Sequence, residues 1–174
     1  MALTSSSRQS ALSAAAAGAA LTHLREFLAF KLGAEEYGID LLRVQEIRSY
    51  EEPTRIANSP PCVTGVLDLR GMIVPIVDMR LHLRLGEARH DSLTVIIVLS
   101  ISGHSVGMVV DAVSDVISLA PQQLRQAPDF NSSVDSTHLL AIGAVDDRML
   151  ILIDIEKLMQ SPSLGLHLET ALAA

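Results

Sequence analysis

The chain has almost no chemistry that needs special residues. Its 174 residues include one cysteine, Cys62, and no tryptophan. A lone cysteine rules out an intramolecular disulfide and gives a thiolate metal site no partner, which fits a reducing cytoplasm. Basic residues are scarce, 13 against 20 acidic, for a net charge of −7. The basic residues stand singly. Clustered Lys and Arg are what neutralises phosphates, so nucleic acid is not an expected partner. No apolar run reaches the roughly 20 residues that a membrane helix needs. Neither G-x-G-x-x-G nor G-x-x-x-x-G-K-[ST] occurs, so phosphate binding has no support. The six histidines form no H-E-x-x-H or comparable ligand spacing, so no metal and no cofactor is expected.

What the chain has is aliphatic. Hydrophobic residues make up 49%, but aromatic ones only 3%. One domain, or two small fused ones, can bury a core from this. Residues 1–24 read as a Ser/Ala-rich tail, residues 25–160 as the folded unit, and 161–174 as a helical or loose end. From Arg25 onward the signal is mainly β. Phe27–Phe30 and Tyr37–Leu41 are strands around a turn at Gly33–Glu36. Leu42–Ile47 reads as one or two helical turns, because its apolar residues do not alternate cleanly. Val63–Leu69 does alternate, with Val63, Gly65, Leu67 and Leu69 on one face. Arg70-Gly71 is a turn, and Ile73–Asp78 returns. Pro75 has no N–H for a ladder, which puts that strand at an edge or a bulge. Asp78 is placed to cap a helix over Met79–Leu85.

The second half repeats the theme. Strands are expected at Leu93–Ile101, Val106–Val110 and Val113–Leu119. Pro121–Arg125 suits a helical turn, and Gln126–Thr137 a polar loop. Leu139–Val145 and Arg148–Asp154 form a hairpin, and Ile155–Met159 starts a helix. The run from Arg70 to Asp78 has a faint echo from Arg148 to Asp154: a turn arginine, an apolar strand, then a carboxylate. Many short strands and few helices favour small barrels over a doubly wound sheet.

One catalytic signature does occur. Gly103-His104-Ser105-Val106-Gly107 is a literal G-x-S-x-G. A nucleophile elbow needs a helix directly after the serine. Here β-branched residues follow instead, and a hairpin turn accounts for the same residues.

Five motifs in fixed order carry more information: YGID (Tyr37–Asp40), VQEI (Val44–Ile47), RIANSPP (Arg55–Pro61), GVLDLRG (Gly65–Gly71) and IVPIVD (Ile73–Asp78). With Val106–Leu119, Pro121–Phe130 and Arg148–Leu158, they resemble the CheW family of chemotaxis coupling proteins. That resemblance implies a fold of two interlocked, SH3-like five-stranded β barrels with a few short helices. It implies no catalysis. It implies a cytoplasmic adaptor, recruited to membrane-bound receptor arrays without entering the membrane, between methyl-accepting chemoreceptors and the regulatory domain of the histidine kinase CheA. On this sequence the receptor-groove positions are Val44, Glu46, Gly65 and Arg70, and the kinase-facing positions Ile47, Arg125 and Phe130. Asp68 stands where the family commonly has Asn. It can cap the same turn, but it adds a negative charge beside Arg70. A serine hydrolase built on Ser105, and a scaffold barrel outside chemotaxis, are the competing readings.

Overall fold

The computed structural model describes residues 24–126 and 136–166. Among these residues, eleven strands make two sheets. The first contains β1 (Arg25–Leu32), β2 (Glu35–Asp40), β8 (Ala112–Leu119), β9 (Leu124–Arg125), β10 (Leu139–Val145) and β11 (Arg148–Ile153), in the order β8-β1-β2-β11-β10-β9. The second contains β3 (Val44–Ser49), β4 (Val63–Leu69), β5 (Met72–Asp78), β6 (Val95–Ile101) and β7 (His104–Val110), in the order β3-β6-β7-β5-β4. The chain leaves the first sheet after β2 and returns to it at β8, which interlocks the two halves.

Both faces of the central strands are buried. Phe27 and Ala29 pack into a core within the first sheet, with Ile117 and Leu150. Leu67, Ile76, Ile96 and Val98 fill the interior of the second. The opposite faces meet in one shared core, where Phe30, Tyr37 and Ile39 join Val77, Ile97 and Met108. The aliphatic composition suits this arrangement, because β-branched side chains pack well on a pleated surface. Tyr37 is fully buried, and its hydroxyl donates to Glu35 Oε2 at 2.5 Å. Burial is the main cause that pushes this phenol well above its usual range, with the Glu35 contact adding to it.

The two sheets match strand for strand. Setting aside the two-residue β9, each has one parallel pair at its centre: β2 with β11, and β7 with β5. All other pairs are antiparallel. Register shifts fall at equivalent places, at Ala29/Phe30 and Val44/Glu46, and at Leu139/Ala141 and Val63/Gly65. Both sheets end in a capped helix. Asp78 Oδ1 accepts from the Arg80 and Leu81 amides before α1 (Met79–His82), and Asp154 Oδ1 from the Lys157 amide before α2 (Ile155–Met159). The sequence echo is therefore real in its strand and its capping carboxylate. Its arginines, however, are not register equivalents. Met72 opposes Leu69 as Arg148 opposes Val145, so Arg148 matches Met72 rather than Arg70.

Four expectations need correcting. Leu42–Ile47 is helical only at Leu42 and Arg43. A single 3-10 turn, Leu41–Arg43, is capped by Asp40, and β3 follows. Burial alternates along β3, but apolar Ile47 falls on the exposed face and Glu46 and Arg48 on the half-buried one, and this inversion hid the strand. The helix after Asp78 stops at His82, because Arg84 already adopts φ 56° before Gly86 is reached. Leu93 is not in a strand; β6 begins at Val95. Pro75 is accommodated in an interior strand, because the parallel pairing with β7 starts only at Ile76. The Met72–Pro75 half of β5 is bonded to β4 alone.

Arginines tie each sheet across. Arg148 at the start of β11 reaches Glu36 on β2 at 2.8 Å and Asp115 on β8 at 2.9 Å. The Arg148 hydrogen bonds, against desolvation, hold the Asp115 carboxyl below its usual range. A carboxyl depressed in the folded state contributes stability above its unfolded pKa of about 3.9, and loses it as pH falls through the folded value. Arg148→Ala should therefore lower the thermal midpoint most at neutral pH. The gap to wild type should narrow as the pH drops below about 4; thermal melts of both proteins from pH 7 to pH 3 check this.

Candidate functional site

The residues singled out on β3 alternate across the strand. Val44, Glu46 and Arg48 are half-buried; Gln45, Ile47 and Ser49 are exposed. Val44 packs on the edge of the shared core. Glu46 lies two residues on, past the bulge, at the rim. Its Oε2 accepts from Arg70 Nη2 at 2.6 Å, and its Oε1 from Arg48 Nη1 at 3.4 Å. β3 and β4 are the two edges of the second sheet, so the Glu46–Arg70 pair spans the gap between them.

Arg70 occupies the tip of the β4–β5 hairpin in a left-handed conformation, φ 55°, with 81% of its side chain exposed. Asp68 holds this tip. Its Oδ1 accepts from the Gly71 amide at 2.8 Å, which is the turn-capping role that Asn can also fill. Within the structure the added charge does not capture the arginine, whose guanidinium bonds Glu46 instead.

Gly65 lies under the same closure. Thr54, beyond the end of β3, makes two backbone hydrogen bonds with Val66, each 2.9 Å. Gly65 has φ 155°, and a Cβ there would fall within 3.0 Å of the Thr54 carbonyl. The glycine lets this backbone cross β4 and so fixes the rim on which Glu46 and Arg70 meet.

The structure thus brings Val44, Glu46, Gly65 and Arg70 to one sheet and puts two of them in direct contact. Ile47 is on the same strand, 45% exposed, on the opposite face from Glu46. Arg125 is exposed on β9, at the edge of the other sheet, where it opposes Ile142. Phe130 lies outside the described residues. Sequence reasoning missed Arg48 as a second partner of Glu46, and it missed the Glu36–Arg148–Asp115 cluster. The only available signal was a carboxylate midway along each edge strand.

Ser105 has another use. It lies within β7, and its hydroxyl donates to Gln45 Oε1 on β3 at 3.0 Å. The chain runs on as strand to Val110, without the helix that an elbow requires. Among the described residues, no group of three or more His, Cys, Asp or Glu could hold a metal ion. No helix of these residues is long and apolar enough to cross a membrane.

The CheW-like domain profile matches residues 26–163. The chain belongs to the CheW family. The chemotaxis protein CheW of Klebsiella aerogenes is 51% identical over 142 residues, spanning 82% of this chain and 86% of that one. The chemotaxis protein CheW of Bacillus subtilis is 28% identical, over 79% of this chain and 88% of that protein. Among solved structures, the scaffolding protein TtCheW of Thermoanaerobacter tengcongensis superposes with a TM-score of 0.72 at 28% identity, over 80% of this chain and 90% of that chain. Two interlocked sheets with few helices are therefore the CheW fold, as the motifs implied. The family match ends within four residues of the last described one, so nearly all of the described fold lies inside it.

Proposed function

We propose that the chain is a non-catalytic chemotaxis adaptor. It works in the cytoplasm at membrane-bound receptor arrays, where it couples the cytoplasmic tips of methyl-accepting chemoreceptors to the regulatory domain of CheA. The observation that carries this reading is the Glu46–Arg70 pair: two charges beside apolar Val44, Glu46 half-buried on β3 and Arg70 exposed on a hairpin tip. An exposed pair of this kind adds only about 0.2–1 kcal/mol to stability. Charges so placed set register and specificity when a partner docks. Support comes also from the relatives, two of which are chemotaxis proteins and one a scaffolding protein by name.

In this reading Val44 supplies apolar contact to the receptor tip. Glu46 and Arg70 fix its orientation, and Gly65 shapes the rim. Ile47 and Arg125 face the kinase, on different sheets, with Phe130 as a third contact. No step of chemistry is involved, since the adaptor acts by holding two partners at a fixed separation. The experiment is a calorimetric titration of the full chain against the regulatory domain of the cognate CheA. Saturable one-to-one binding is the expected result. A folded chain that binds neither this domain nor a receptor fragment would return the molecule to a scaffold outside chemotaxis.

A further inference from the structure

The match between the sheets extends to the side chains at their edges. Ile47 opposes Ile97, which opposes Met108, one residue past Gly107. Val116 opposes Leu28, which opposes Ile39, one residue past Gly38. Gly107 and Gly38 themselves stand opposite Ile76 and Leu152 in the two parallel pairs. Val116 is therefore the counterpart of Ile47, and Asp115 the counterpart of Glu46. Each of these acids holds an arginine from the hairpin at the far side of its own sheet: Glu46 holds Arg70, and Asp115 holds Arg148.

The second cluster also has relief that suits a ligand. Arg148 and Glu36 form a saddle between two hollows, of about 510 and 410 Å3, and line both. Leu93 lies in the first hollow and Met149 in the second. They are 65% and 68% exposed, among the most exposed large apolar side chains of the described residues. Three carboxylates, Glu35, Glu36 and Asp115, line the trough against two cations, Lys31 and Arg148. Apolar ends around a paired cluster with one net negative charge complement an amphipathic helix that carries a basic residue beside its apolar stripe.

We infer that this trough is a second docking surface, quasi-equivalent to the Glu46–Arg70 rim, and that it takes a basic amphipathic helix of the receptor tip. The inference rests on the receptor-coupling reading above. Leu93 and Met149 supply its apolar contacts, and the Glu36–Arg148–Asp115 cluster sets the register.

The test is a titration of a soluble helical-hairpin fragment of the cognate chemoreceptor tip against the full chain and three variants: Leu93→Asp, Met149→Asp and Arg70→Glu. All three sites are exposed, and thermal melts check that each variant is folded. Binding weakened about tenfold or more by both Leu93→Asp and Met149→Asp is the expected result. If both bind within about twofold of wild type while Arg70→Glu is impaired, the second surface is wrong and the receptor reading stands. If these two variants lose affinity for the CheA regulatory domain instead, the trough belongs to the kinase and the assigned occupant is overturned. A wild-type chain that ignores the receptor fragment removes both the inference and the receptor reading beneath it.

Discussion

Gly65→Ala should cost the fold about 3 kcal/mol, more than any other single methyl added to a described glycine. Two effects combine. The backbone at φ 155° is one that side-chain-bearing residues rarely adopt, and the new Cβ would meet the Thr54 carbonyl and the Arg55 nitrogen, both backbone atoms. Neither can rotate away. At Gly107 and Gly38 the nearest atoms are the tips of Ile76 and Leu152, which can repack, so alanine there should cost less. The loss at Gly65 should centre on the Thr54–Val66 bridge, which closes the second sheet. Urea unfolding of the three variants measures the ranking, and hydrogen exchange at the Thr54 and Val66 amides locates the loss. An unchanged midpoint for Gly65→Ala would mean that Thr54 does not cross β4 as described.

Arg70→Glu should have the opposite signature, with a large effect on coupling and a small one on stability. The side chain is 81% exposed, so the fold loses one surface pair worth about 1 kcal/mol or less. The substitution then sets two carboxylates face to face at the rim, since Glu46 stays where β3 holds it. Receptor affinity should fall about tenfold or more, while the thermal midpoint moves by only a few degrees. The double exchange Glu46→Arg with Arg70→Glu restores the pair but reverses its direction. It should recover the small stability loss without recovering receptor affinity. Recovery of both would show that the pair only staples the sheet edges; a receptor affinity unmoved by Arg70→Glu would remove the rim from the interface.

How much was legible follows from which contacts are local. The β10–β11 hairpin and α2 were readable because their apolar alternation, the Asp146-Asp147 turn and the Asp154 cap all lie within adjacent residues. β3 was not, because its charged Glu46 and Arg48 lie on the half-buried face and its apolar Ile47 on the exposed one, the reverse of the pattern that identifies a strand. Asp68 was readable as a turn cap, since its acceptor reaches an amide only three residues on. The site divides in the same way. Glu46 and Arg70 are 24 residues apart, and nothing in the spacing places them at 2.6 Å. The motifs named both residues through their resemblance to a family, and the closure of the sheet supplied the contact. Asp115 and Arg148 lay inside segments that carried the resemblance, Val106–Leu119 and Arg148–Leu158, but nothing in those segments gave either residue a partner. Their pairing is a contact over 33 residues, and its likeness to the Glu46–Arg70 pair emerged only once the two sheets could be laid over each other, strand on strand.

The most direct test of the adaptor reading asks whether this chain brings its two partners together. Membrane-anchored or templated receptor tips are sedimented with CheA, with and without the full chain. The reading predicts that CheA pellets with the receptors only when the chain is present, and that Arg70→Glu abolishes this while leaving the binary complex with the CheA regulatory domain intact. Equal CheA in the pellet with and without the chain, at concentrations where the chain is folded, would contradict it.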